Sequence, residues 1–362
     1  MLTQEMLDRF RSRAAGYDRD NAFFTEDLEV LRAAGYLAPR SLLETAKDQR
    51  LLAAYAPATA LGINMHLVWT GVARVLSERG DPSLDWVLAD AAAGELFAFG
   101  NSEQGNDLVL WDSLTTAETV DGGYAFTGTK IFTSLAPAWT RLGIFGRNGD
   151  ELVHGFITRE TPGWHSKNDW DTLGMRATQS HTTVLAGAIV STGRVARILP
   201  VGPSGDPFIF GIFANFLLLI GSVYAGIADR ALELAVEAVT RRGSLRTGKQ
   251  LDQDPDFRWR IADAALALDA LAPQLESLAA DVDLLANHGA AWFRLLSGAK
   301  HRATETARSV VDQAMRSAGG GGYRTGSELA RLQRDVLAGI YHPSDTESVH
   351  NTVATNLLGA LA

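Results

Sequence analysis

The sequence predicts an α+β protein in three successive parts: a helical N-terminal domain over 1–95, an all-β middle domain over 96–204, and a C-terminal helical bundle over 205–362. Three changes of texture carry this reading. The first part is rich in alanine, leucine and charge, with apolar residues at helical spacing in Phe24, Leu28 and Leu31 and again in Leu84, Val87 and Leu88. The middle part holds short β-branched or aromatic runs, YAFTG, RLGIFG, ELVHGFIT and TTVLAGAIV, separated by turn sequences such as VDGGY and RNGDE. From Pro207 the pattern returns to long alanine-rich helices, coarsely 212–241, 256–286, 288–318, 329–338 and 345–360, which suit an antiparallel bundle.

Composition narrows the function. The 362 residues are 46% apolar and 21% charged, enough for a sizeable core. Lysine and arginine number 33 against 42 acids, a net charge of −9 with no basic tract, so neither nucleic acid nor an anionic membrane is expected as partner. Cysteine is absent, which removes disulfides, thiolate metal sites and thiol nucleophiles. The eight histidines show no H-x-x-x-H, no metal site is expected, and no G-x-S-x-G marks a serine hydrolase. The amino terminus lacks an apolar signal region. The uncharged run Pro207–Ala228 is long enough to span a bilayer, but Asp206 and Asp229 flank it where lysine or arginine would anchor a membrane helix. A buried central helix in a cytoplasmic protein is the expectation.

Three seams between elements are chemically suggestive. In Phe97-Ala-Phe-Gly-Asn-Ser-Glu-Gln-Gly-Asn-Asp107 an apolar strand runs into a small polar turn, freeing backbone amides and the Ser102 hydroxyl for a ligand. In Gly128-Thr-Lys-Ile-Phe-Thr-Ser134 strand alternation puts Phe132 and Ser134 on one face, a flat ring beside a hydroxyl, which suits a planar heterocycle or an ordinary core. Ala318-Gly-Gly-Gly-Gly-Tyr323 follows a helix, so it is no Rossmann fingerprint; its backbone is free to meet phosphate oxygens or to serve as a plain interhelical turn.

Together these seams resemble the acyl-CoA dehydrogenase superfamily of flavoproteins over nearly the whole chain. Asp171-Thr-Leu-Gly-Met-Arg-Ala-Thr-Gln-Ser-His181 is close to that family's middle-domain segment. With it stand F-G-N-S-E-Q-G, G-T-K-I-F-T-S, A-G-I-A-D-R-A-L at 225–232, and G-G-G-G-Y with L-A-R-L-Q-R-D at 329–335. The resemblance implies the acyl-CoA dehydrogenase fold: N-terminal helices, a middle β-barrel or sandwich, a C-terminal four-helix bundle, and a homo-oligomer, tetramer or dimer. It implies a flavin, with Phe99, Asn101 and Ser102 bordering the ring and Phe132 and Ser134 on its other side. Gly319 and Gly320 match glycines that meet the pyrophosphate from a neighbouring subunit, with Arg242 or Arg246 as the cation. FAD is expected. FMN becomes an alternative because Arg242-Gly-Ser-Leu-Arg-Thr-Gly248 lacks the aromatic of the family's R-x-x-F-G.

The resemblance also implies α,β-dehydrogenation of an acyl-CoA thioester, which needs a base for the α-proton. The two positions that carry it in relatives hold Pro343 and Phe216 here, with Leu217 in place of the arginine that often follows the second. Asp345 or Glu347 would serve only if the loop shifts. His342 stands there instead, and His66 lies in Gly62-Ile-Asn-Met-His-Leu67. A histidine near the C-terminal position resembles the oxygen-using monooxygenases of the superfamily, where an imidazole titrating near neutrality would move a proton or bind a phenolate. Asn106 takes the place of the serine that meets the CoA side in relatives, and Ala38-Pro-Arg-Ser-Leu-Leu-Glu44 is a reduced form of a stretch that shapes the substrate mouth. The expected activity is thus acyl-CoA-type dehydrogenation with an electron-transfer flavoprotein or oxygen as acceptor. The alternatives are a monooxygenase of the same fold and a non-catalytic flavin-binding homologue.

Overall fold

A computed structural model describes residues 1–360. Five helices come first: α1 (Gln4–Asp20), α2 (Thr25–Ala33), α3 (Leu42–Ala53), α4 (Pro57–Glu78) and α5 (Asp85–Ala92). Eight strands follow: β1 (Phe97–Gly100), β2 (Thr116–Val120), β3 (Gly123–Thr133), β4 (Arg141–Asn148), β5 (Glu151–Thr158), β6 (Trp164–Ser166), β7 (His181–Ser191) and β8 (Val195–Pro200). Six helices complete the described chain: α6 (Pro207–Arg241), α7 (Pro255–Asp269), α8 (Leu271–Asp283), α9 (Ala291–Ala318), α10 (Glu328–Val336) and α11 (Thr346–Leu358). The expected helix 256–286 is broken at Ala270 into α7 and α8.

The strands form one sheet in the order β6-β7-β3-β2-β4-β5-β8, with β1 off this path. Strand β4 pairs in parallel with β1 over Arg141–Ile144 and with β2 at Arg147, so β1 and β2 share one edge end to end. That arrangement leaves the tip of β1 free to turn toward the helices.

Helix α6 is the centre of the molecule. Asp206 accepts a hydrogen bond from the Phe208 amide (2.7 Å) and Pro207 occupies the first turn, which together start the helix. Its apolar residues run round the whole circumference, as in a helix packed on every side. It packs against α9, α4 and α3, and most of the uncharged run is buried in protein. Where α6 crosses α3, Gly226 lies so close that a Cβ there would stand 2.1 Å from the Arg50 carbonyl oxygen and 2.8 Å from the Ala53 Cβ. The crossing is clamped by Arg50, whose guanidinium grips Asp229 through two bonds of 2.6 and 2.7 Å. Backbone cannot yield as a side chain would, so Gly226→Ala is expected to destabilise the protein by about 1–3 kcal/mol, read as a lower urea midpoint with an unchanged slope.

Candidate functional site

The seams found in the sequence converge. Strand β1 sends Phe97, Phe99 and, just beyond its end, Asn101 to one side, by the twofold period of a strand. Helix α4 holds the strand in place. The His66 Nδ1 accepts from the Phe97 amide (3.2 Å), and one turn later the Trp69 indole N–H donates to the Ala98 carbonyl (2.9 Å). Phe99 then lies against Trp69 (ring centroids 4.9 Å) and stacks on Phe216 of α6 (5.9 Å, 24°). Trp69 also meets Phe156 at 4.7 Å and Phe208 at 6.1 Å, so aromatic rings fill the ground beneath Phe99.

The polar turn after β1 is fixed from below. Glu103 and Lys130, both buried, pair at 2.7 Å. Glu103 accepts further bonds from Ser113, from Thr115 and from the Leu114 amide. Burial raises the carboxyl, but Lys130 and these donors outweigh it and hold Glu103 down to about 2, ionised. The Ser102 carbonyl accepts from the Ile131 amide (2.9 Å), which sets the turn beside the end of β3.

There the structure departs from simple alternation. The register with β7 slips between Lys130 and Thr133, a bulge, and Phe132 takes a left-handed conformation (φ 57°). Phe132 is therefore turned outward, 52% exposed and edge-on to Trp170 (6.1 Å), while Ser134 is 7% exposed. The extra residue undoes the shared face that strict alternation predicts. The Ser134 Oγ bonds the Ser180 Oγ (2.7 Å), which bonds the Thr178 Oγ1 (2.7 Å), joining this corner to the 171–181 segment. Leu135, Met175 and Gln179 are also left-handed, so four non-glycine residues in this corner share that conformation.

The 171–181 segment in turn meets the bundle. The Met175 amide donates to the Asp335 Oδ1 (2.6 Å), and a Cβ on Gly174 would stand 2.2 Å from the Arg334 carbonyl oxygen. Burial lifts Asp335 to about 6, although Arg331 and the Met175 amide pull it down.

Whether a flavin fits is answered by unpaired polar atoms. Asn101, 1% exposed, has neither amide atom hydrogen-bonded, and the Thr133 hydroxyl and the Trp170 indole N–H are also buried without a partner. Such groups are costly when left alone. A heterocycle carrying donors and acceptors round its edge would satisfy such groups, and Phe99 and Phe132 would offer it flat surface.

The remaining expected residues fall elsewhere. His66 is fully buried with both ring nitrogens engaged, Nε2 at 2.8 Å from the Leu37 carbonyl, so it positions β1 and the 37–38 segment. The amide of Asn106 bonds Glu103, the Asp112 carbonyl and the Leu108 N–H, and so holds its own loop. Asp345 caps α11, accepting from the Ser348 amide (2.8 Å), and Glu347 is exposed on that helix's first turn. His342 is half-buried, with Nδ1 3.4 Å from the Tyr224 hydroxyl. Burial, helped by the charge of Lys300, pushes its imidazole down to about 3. That direction favours the neutral ring.

Arg242 lies beside Gly319, donating to the Ser317 carbonyl (2.8 Å); Gly320 follows in the same turn and Arg246 is exposed in the neighbouring hairpin. This cluster lies at the far end of α6 from Phe216. Twenty-five residues of helix separate Phe216 from Arg241, about 37 Å at 1.5 Å per residue.

Comparison with known proteins agrees with this geometry. The family described as acyl-CoA dehydrogenase, C-terminal domain, matches residues 218–344. Over 96% of its length the chain is 28% identical to a Bacillus subtilis protein named putative acyl-CoA dehydrogenase YdbM, covering 93% of that protein. The structure of butyryl-CoA dehydrogenase from Megasphaera elsdenii superposes with a TM-score of 0.86 at 19% identity, covering 99% of both chains. The chain is thus similar over nearly its whole length to proteins of the acyl-CoA dehydrogenase superfamily, and it has that superfamily's fold. It is also 31% identical over 228 residues to L-evernosamine nitrososynthase of a Micromonospora species, across 60% of this chain and 53% of that one.

Trp69 and Tyr224 lie outside the family motifs, and within those motifs the sequence does not assign roles to Glu103, Lys130 and Asp335.

His66 yields a pH prediction. Burial holds its imidazole down to about 4, against 6.5 for an ordinary one. Between those values the unfolded chain binds the extra proton, so His66 makes stability rise with pH from about 4 to 6.5. The difference in unfolding free energy between the native protein and His66→Gln is expected to grow across that window, by up to about 3 kcal/mol, and to stay level above it, measured by urea unfolding at a series of pH values.

Proposed function

We propose that the protein transfers oxygen from dioxygen to a small-molecule substrate, with a reduced flavin as the electron source, in preference to dehydrogenating an acyl-CoA. One observation carries this: Asp345, the nearest acid to the two positions where the family resemblance implies a catalytic carboxylate and which here hold Phe216 and Pro343, is occupied in capping α11. Abstraction of an α-proton has no base there. The likeness to a nitrososynthase supports the reading, since forming a nitroso group from an amine places oxygen on nitrogen. The full-length likeness to a protein named a putative acyl-CoA dehydrogenase favours the second reading, dehydrogenation.

A bound flavin would supply two-electron chemistry. The chain's own residues have four tasks. Phe99 and Phe132 flank the ring. Asn101, Ser102 and Ser134 meet its polar edge, where donors favour the negative charge that reduction brings. The aromatic floor of Trp69, Phe99 and Phe216 keeps water from below. His342, held neutral, offers one imidazole nitrogen to the Tyr224 hydroxyl and the other to substrate as donor or acceptor.

The cofactor in this reading is FAD. Its ring sits at the Phe99 corner of one copy, and its pyrophosphate is met by Arg242, Gly319 and Gly320 of a second copy, because one α6 is too long for both ends to serve the same molecule. FMN uses the ring corner alone. Arg242→Ala is therefore expected to weaken FAD binding about tenfold or more and to leave FMN binding unchanged, as read by flavin fluorescence titration.

Anaerobic addition of butyryl- or octanoyl-CoA to the flavin-loaded protein is expected to leave the yellow absorbance intact. Bleaching that persists in His342→Ala and vanishes in Asp345→Asn, a change that preserves the helix cap, would instead establish dehydrogenation with Asp345 as its base. His342→Ala is expected to retain flavin and to alter the rate at which added reduced flavin consumes oxygen.

A further inference from the structure

Lys300 lies along α9 and is 1% exposed. An ammonium group buried without partners would cost several kcal/mol. Its partners are backbone oxygens: Nζ donates to the carbonyls of Gly339 (3.1 Å), His342 (2.9 Å) and Ser344 (3.0 Å). An ammonium has three protons, and three carbonyls from one short turn accept them. Two more contacts fix the same turn. The Ser297 Oγ, one helical turn earlier on α9, lies 3.2 Å from the Ser344 Oγ. Gly339 fits so closely that a Cβ there would stand 3.0 Å from Thr304 and 3.1 Å from the Tyr224 ring.

The residue at the middle of this turn is His342. We propose that Lys300 is a positioning residue, gathering the 339–344 turn onto α9 so that the His342 imidazole is set against the Tyr224 hydroxyl. The proposal deepens the oxygen-transfer reading and rests on it for the use to which His342 is put. The clamp itself stands on the hydrogen bonds. It accounts for a buried lysine that no carboxylate among the described residues neutralises at close range, and it gives a turn with little regular structure of its own a single conformation.

Tyr224 on α6 and Lys300 on α9 are the groups that act on the imidazole, and the acids next to them are Glu305 on α9, Asp335 on α10 and Asp345 at the start of α11. Asp345 and Glu305 act on Lys300, and Asp335 acts on Tyr224. Burial pushes Lys300 down to about 8, so all three donors are present at neutral pH.

The test uses the full chain, without flavin, in two measurements. In Lys300→Met, which keeps the length of the side chain and removes its donors, hydrogen exchange over 337–346 is expected to quicken at least tenfold while α3, α4 and the sheet are unchanged. The His342 ring signal, identified by its loss in His342→Gln, is expected to titrate about one pH unit higher. In the native protein, nitrogen-labelled lysine is expected to show two ammonium signals protected from solvent and titrating near 8, from Lys130 and Lys300, the latter being the one that persists in Lys130→Arg. That second measurement decides the matter if Lys300→Met does not fold. Unchanged exchange and titration in the variant, or a protein in which no protected ammonium remains once that of Lys130 is removed, overturns the clamp. If Lys300→Met loosens the turn while His342→Ala leaves oxygen consumption untouched, the clamp stands and the oxygen-transfer reading of His342 falls.

Discussion

The hydrogen bond from the Met175 amide to Asp335 joins the two halves of this molecule that matter most. On one side is a loop of the β domain, on the other a helix of the bundle, and Gly174 lets the two backbones touch. Nothing covalent fixes that seam in a chain without cysteine. A buried carboxylate and a backbone N–H do so instead, reinforced at the periphery where Arg334 reaches both Asp18 and the Leu173 carbonyl. Because the same loop carries Thr178 and Ser180, which anchor Ser134, the register of the Ser134 hydroxyl is inherited from the fit of α10 against the loop. Packing and chemistry here are one constraint.

A second constraint is the aromatic floor. Trp69 makes contact with three phenylalanine rings and reaches the backbone of β1 with its indole N–H. Strand β1 is only four residues long, and a strand that short does not hold its direction alone. Helix α4 supplies that direction through His66 and Trp69. The histidine therefore contributes to the site by shaping it from behind.

The three-part order of the chain was legible because each part has its own period: apolar residues at helical spacing first, alternating β-branched runs next, and uniformly apolar α6 last. The buried position of α6 followed from its acidic flanks, Asp206 and Asp229, and the structure puts both to use, one as a cap and one in the pair with Arg50. What sequence could not show was the set of pairings across long separations. The bulge at Phe132 depends on how β3 meets β7. The roles of Asn106 and Asp345 depend on which amides lie within reach, and short polar side chains look alike in sequence whether they face a ligand or their own backbone. Lys300 was hidden for the same reason: its three acceptors are carbonyls, which every residue possesses.

The four left-handed residues around the Ser134 corner, Phe132, Leu135, Met175 and Gln179, each hold a conformation that costs an ordinary side chain about 1–2 kcal/mol. None is glycine, so the cost is carried in the native state and is recovered only while neighbours such as Asp335 and Thr178 keep the backbone in place. Substitution there is limited by main-chain shape as well as by what the side chain touches. A β-branched residue of equal hydrophobicity would be rejected where a flexible one is accepted. Evolutionary or laboratory change of specificity in this fold is thus expected to travel through the rim residues, leaving the corner's backbone as an inherited mould.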